Sequence, residues 1–418
     1  MIPLHGIASR HDLPLPFATV LLGAAAVLLI TFWVVVFAWR TPRYDAPRGR
    51  ELPRLTRVVD ARWFRIASWA IAGPLWLLSA AALVLGPDRI DNPAVGFIYV
   101  WLWVGLVPLS LLLGPFYRRV NPARLVLRAR GADDGGSILP AALALLGFLY
   151  LELVSPVGAT LPALRIAAAV LAVWVVVGAL LRGKGWIPRA DPFEAYSSAV
   201  ARMSVWARSP RGLVRYTSPL SNLASWRAPT GLAGLSVVLL GGTLFDALSN
   251  TAWWVRLLQR HGDLSHPLGV LGLLGSIAFV ATLFLIGCRP LAGRGELLRT
   301  ADALAPGLIP LVVGYALSHY GTMLYLEGQR TAFRFSDPLG RGWNLFGGAE
   351  AAPDVSLFAF PMAIAILQVA LIVGGHVLGV LVTHDIALRR DAGVGRQLPL
   401  LVVMIGFTVG GLMLMFGA

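Results

Sequence analysis

Seven histidines and 21 carboxylates are spread through a largely apolar chain of 418 residues, and a few of them fall where neither type is cheap. His319 lies inside the stretch GYALSHYGTMLYLEGQR. An ionisable side chain within a membrane span is costly and marks a working site by default. Tyr315, His319 and Met323 recur every four residues, with Ser318 and Thr322 beside them, so these side chains share one half of a helix. Val313, Leu317 and Leu324 take the other half, which can face lipid. Glu327 follows about 12 Å further along, where the apolar run stops. Asp246 and Asn250 end the run GGTLFDALSN, and Glu152 closes another in YLELVSP. Three carboxylates thus terminate three separate apolar segments.

Imidazole nitrogen and carboxylate oxygen are the donors that a zinc-like divalent ion takes, and such an ion turns bound water into a nucleophile near neutral pH. On this reading Asp246, Glu327 and His319 form the catalytic set, with Asp246 or Glu327 as general base. The metal ligands come from His5, His11, Glu152 and His319. No HExxH or HxH motif occurs, so each ligand belongs to a different segment. The plainer alternative is a histidine bonded to a neighbouring helix, carboxylates that end helices, and His261 and His266 in wet loops. A haem held between His319 and His376 is disfavoured by depth, about 25 Å and about 13 Å above the inner charged boundary. His376 sits instead among Gly374, Gly375 and Gly379, which let another helix approach closely. The sole cysteine, Cys288, excludes an intrachain disulfide and a thiolate cluster.

The elements that must position these groups are membrane spans. Hydrophobic residues make up 57% of the chain and charged ones 13%, with a mean hydropathy of +0.73. Soluble domains carry about a quarter charged residues. The sequence predicts an all-α, polytopic transmembrane helix bundle, one integral membrane domain over 1–418, with about ten spans. They fall near 17–39, 66–85, 94–116, 138–154, 166–181, 231–249, 267–287, 305–326, 356–382 and 398–416. Pro310 is expected to bend the eighth. Of the 35 Lys and Arg, 27 fall in the odd-numbered loops together with 11 of the 21 acidic residues, giving net +16 there and −2 on the other side. The odd loops are therefore expected in the cytoplasm and both termini outside. The net charge of +14 is read as topology and as affinity for anionic lipid, with no nucleic-acid partner.

Within the long loop 182–229, Phe193, Tyr196, Val200, Met203 and Trp206 recur at helical spacing. An amphipathic helix lying on the inner head groups is expected there. Trp253 and Trp254 read as an outer aromatic belt. No strands are expected, and no GxSxG elbow, phosphate-binding loop or dinucleotide fingerprint occurs.

The chain resembles the fenitrothion hydrolase-like proteins, a family of polytopic actinobacterial inner-membrane proteins. The likeness rests on HGIASRHDLPLPF, NPAVGFIYVWLWVGLVPLSLLLGPFYRRVNPAR, LELV, GGTLFD, HYGTMLYLEGQR, SDPLGRGWNLFG, GGHVLG and QLPLLVVM, and runs through nearly the whole length. Tyr150 stands before LEL where an aromatic, often Trp, is usual in the family. The resemblance implies hydrolysis of an organophosphorus ester by a protein of the bacterial inner membrane. A small-molecule substrate would then meet a polar His/carboxylate pocket that opens outward. Two other functions use the same residues. One is a transporter that relays protons or binds a solute at mid-membrane; the other is a non-catalytic subunit with a membrane-protein partner.

Overall fold

The computed structural model describes residues 13–44, 48–126, 136–390 and 392–416. Every apolar run anticipated from the sequence is helical. Among the described residues, eight helices are long and apolar enough to cross a membrane: α1 (Phe17–Ala38), α3 (Arg62–Leu85), α7 (Leu161–Arg182), α9 (Leu232–Ser249), α11 (Ser265–Cys288), the pair α12 (Leu297–Leu304) and α13 (Ile309–Arg334), α14 (Pro361–Leu388) and α15 (Val394–Phe416). A ninth is broken: α4 (Pro93–Val104) and α5 (Leu106–Leu113) meet at 44° around Gly105, and Phe97–Val104 is wound as a π-helix. The tenth expected span is α6 (Leu139–Leu153), whose 15 residues rise only about 22 Å. It is too short to cross alone. The fold is an all-α, multi-pass membrane bundle in which the described residues supply eight such helices, or nine with the broken one, against the ten spans expected.

α13 is the central helix. In the segment that includes it, 78% of the most apolar window is buried, against 11% in α3, which turns Ile71 and Leu77 outward. Small residues bring α14 onto it: a Cβ on Gly375 would lie 2.5 Å from the Pro310 carbonyl oxygen, and one on Gly314 2.4 Å from that of Leu371. α1 and α15 cover the far side of α14, packing Ala24, Leu412 and Phe416 with Ile364 and Ile372. On the other flank, Gly241 of α9 meets the backbone of Ile277 in α11, and Gly242 meets Leu149 of α6. Without the driving force that water provides, such close approach is what holds spans together.

Two local expectations are corrected. Pro310 lies in the first turn of α13, after a 3-10 turn at Ala305–Leu308, where a missing N–H costs nothing. The same helix runs to Arg334, because polar residues after Leu326 continue it, so Glu327 is inside it.

The segment 182–229 also departs from expectation. Its helix α8 (Pro192–Val200) does not lie on a surface: Phe193, Glu194, Tyr196, Ser197 and Val200 are all buried. Ser197 shares a 2.8 Å hydrogen bond with Ser110 of α5, and Phe193 packs edge-on to Phe148 of α6. The amphipathic surface helix is instead α10 (Ala252–Arg260), capped by Thr251 and exposing Trp253 while burying Trp254. Strands do occur. Trp206 belongs to β2 (Trp206–Arg208), which pairs with β3 (Val214–Thr217), and β3 with β1 (Gly49–Glu51), all antiparallel. This small sheet joins two arginine-rich loops at one end of the bundle. The short helix α2 (Pro53–Asp60) is tied to it through Asp60 and Arg208 at 2.5 and 2.7 Å.

Candidate functional site

Asp246 and His319 meet in the interior. The glycine pair of α9 seats that helix between α6 and α11, and Asp246, one turn later, reaches α13. His319 Nε2 lies 3.0 Å from Asp246 Oδ2, and the Tyr320 hydroxyl donates to the same oxygen at 2.7 Å. All three residues are buried, at 3%, 4% and 3% exposure for Asp246, His319 and Tyr320. An ionised carboxylate only accepts, so with Asp246 charged the imidazole hydrogen sits on Nε2 and Nδ1 bears the lone pair. Tyr315 stacks on His319, 5.4 Å between ring centres and 25° between planes, and Tyr320 stands edge-on at 4.7 Å. Asn250 Nδ2 donates to the Asp246 carbonyl at 2.8 Å, closing the end of α9. The imidazole is thus held by a carboxylate on one edge and by aromatic rings on its faces.

Glu152, on the last turn of α6, is near enough for its charge to act on Asp246 and on Tyr320. Its Oε2 is buried and has no hydrogen-bond partner among the described residues. The same holds for the Tyr315 hydroxyl and Thr322 Oγ1 on α13, and for Gln368 Oε1 on α14, whose amide donates to the Ser318 carbonyl at 3.0 Å. Buried polar atoms left over in this way are rare, and these four belong to α6, α13 and α14, among other such atoms elsewhere in the described residues.

Other candidates lie elsewhere. Glu327, eight residues beyond His319 and about 12 Å along the helix, pairs with Arg330 at 2.5 Å and Arg334 at 3.7 Å. His266 bonds Tyr150 at 3.0 Å, and His261 bonds the Leu257 carbonyl at 3.1 Å. His376 donates from Nδ1 to the Ile372 carbonyl at 2.8 Å, a turn earlier on its own helix. His5 and His11 lie outside the described residues. Among the described residues no group of three or more His, Cys, Asp or Glu is placed to hold a metal ion.

Two features escaped the sequence. Tyr320 reads there as one more core aromatic, and its only signal is adjacency to His319. The second is a buried ionic network at the arginine-rich end. Asn121 donates to Asp191 at 2.8 Å and to Glu194 at 2.9 Å, and Arg124 forks onto Glu194, with Nε at 2.8 Å. Asp191 also caps α8, accepting from the Phe193 and Glu194 amides at 2.9 and 3.1 Å. Burial, then the Glu194 charge, pushes the Asp191 carboxyl up to about 7 despite these hydrogen bonds.

No protein-family model, no curated protein and no solved structure matches this chain.

Proposed function

We propose that the protein is an integral inner-membrane hydrolase that cleaves an organophosphorus-type ester at the Asp246–His319 pair, reached from the extracytoplasmic side. The observation that carries this is the 3.0 Å contact between a buried carboxylate and a buried imidazole. It is the arrangement in which an acid orients a general base. Asp246 keeps the hydrogen on Nε2, and His319 Nδ1 takes a proton from water as its oxygen bonds to phosphorus. The P–O bond to the leaving group breaks with its electron pair, and His319 returns the proton to that oxygen when the leaving group is basic enough to need it. Tyr320 holds Asp246 in place. Tyr315 and the apolar walls exclude competing water, which strengthens each electrostatic contact.

The motif resemblance to fenitrothion hydrolase-like proteins supports the reaction class, and the excess of arginine in alternate loops supports the orientation, with both termini outside. A zinc-like ion would draw on His5, His11, Glu152 and His319; the first two lie outside the described residues, and no ligand group gathers among the described ones, so no step is routed through it.

The test is turnover of a nitrophenyl phosphotriester by protein purified into lipid nanodiscs. D246N and H319Q should each lower kcat about 100-fold or more, the usual range for loss of a general base or its partner. Unchanged kcat in both variants would remove the dyad from the chemistry.

One observation favours a second reading. The broken span α4/α5, with eight π-wound residues, packs on α13, the helix that carries His319, through Trp101 Nε1, which donates to the Gly328 carbonyl at 3.1 Å. Discontinuous spans of this kind form solute sites in transporters.

A further inference from the structure

At the arginine-rich end, a cleft of about 410 Å³ opens where α12 and the start of α9 meet the end of α14. Arg227, Arg299, Arg389 and Arg390 line it, and Asp302 is the one carboxylate among the lining residues. Asp302 is already committed, accepting from the backbone amides of Gly231 at 3.0 Å and Ala233 at 2.9 Å to close the N-terminus of α9. Arg227 and Arg299 are exposed and make no ion pair or hydrogen bond among the described residues. Arg390 donates to Thr300 Oγ1 at 3.0 Å, a neutral partner. Arg389 bonds the Ala224 carbonyl and lies 3.6 Å from Asp385, which itself accepts from the Arg43 amide at 2.6 Å. The Arg389 Nε is buried and donates to no acceptor among the described residues. A second cleft of about 570 Å³ shares Arg390 and adds Arg396.

Arginines that serve only as topology signals need no common cavity and stay solvated. Here four guanidinium groups converge on one concave wall, and one N–H of the set is dry and unspent. Guanidinium forks match the oxygens of a phosphoryl group, which can take two parallel hydrogen bonds from each. A liquid water occupies about 30 Å³, so the cleft has room for such a group with part of its hydration. We propose that this cleft binds a phosphate-bearing anion, either the head group of an anionic lipid or free phosphate from the compartment that the arginine-rich end faces. The inference is independent of the reaction at Asp246.

The experiment measures the thermal midpoint of the full chain in phosphatidylcholine nanodiscs, titrated in one arm with inorganic phosphate and in the other with phosphatidylglycerol in the bilayer. R227Q/R299Q removes two exposed side chains whose loss breaks no contact. R54Q/R57Q removes two exposed arginines from α2 as the charge-matched control. The wild type should be stabilised in at least one arm, and R227Q/R299Q should need at least tenfold more of that probe while R54Q/R57Q responds as wild type. Stabilisation by phosphate identifies a free anion, and stabilisation by phosphatidylglycerol alone identifies a head group. No response of the wild type in either arm, or equal weakening in the control, overturns the proposal.

Discussion

Asp246 accepts from His319 and Tyr320 where an uncompensated charge would cost several kcal/mol. Losing one hydrogen bond to a charged group costs about 1.5–3 kcal/mol. Y320F should therefore loosen Asp246 and reduce kcat/KM about tenfold with the protein still folded, as read from phosphotriester kinetics and a thermal melt. Glu327 provides the contrast. It is an ion pair at the edge of the bundle, and such pairs contribute about 0–1 kcal/mol. E327Q should leave kcat/KM within about threefold of wild type, and a larger loss would return Glu327 to the chemistry. Asp246 and His319 were legible in the sequence because each is expensive in an apolar run. Their pairing was not, because nothing in a linear pattern says which faces of two distant helices meet. Glu327 looked like a terminus only because hydropathy drops after Leu326 while the helix continues.

At the scale of elements, hydropathy located every long apolar helix but neither α2 nor α10, and the spacing that suggested α8 could not place it. The spacing of Phe193, Tyr196 and Val200 is the same for a helix on a membrane surface as for one inside a bundle. What decides is cover for the opposite face, and Ser110, Asn121 and Arg124 supply it from far away in sequence. The buried cap Asp191 has a pH consequence. Its pKa is raised in the folded protein to about 7, from an unfolded value near 3.8, so folding favours the protonated form. The stability it contributes is complete below about pH 4 and is lost as pH rises through 7. D191N keeps a capping acceptor and removes the titration. Its thermal midpoint should fall less than that of the wild type between pH 5 and pH 8, because the variant has no carboxyl to ionise over that range. Identical slopes would contradict the shift. Glycine contacts offer a second check. Gly375 has the Pro310 oxygen against it, whereas a Cβ on Gly374 would meet nothing within 4 Å. G375L should destabilise by about 1–3 kcal/mol, typical of overpacking, and G374A should be close to neutral by the same melt.

For the whole molecule, the proposed orientation rests on the division of charge between loops, and the hydrolase reading depends on it. A cysteine at Arg211, beside the small sheet, should react with a membrane-impermeant thiol reagent only when cells are opened. One at Ala352, in the loop before α14, should react in intact cells, and the native Cys288 is buried. The reverse pattern would turn the bundle over. The long helices needed only composition to be found, while the break at Gly105 and the π-wound stretch before it reflect packing between Trp76, Phe335 and α4, which the sequence does not spell out. That broken helix makes solute passage the main rival to hydrolysis at the dyad, and the two differ in what becomes of the ester. The most direct measurement places a radiolabelled phosphotriester outside sealed proteoliposomes and follows cleavage and uptake together. Hydrolysis at Asp246 and His319 predicts free phosphodiester accumulating outside, no intact ester gained inside, and loss of cleavage in D246N. Intact ester concentrated inside with no cleavage would contradict it.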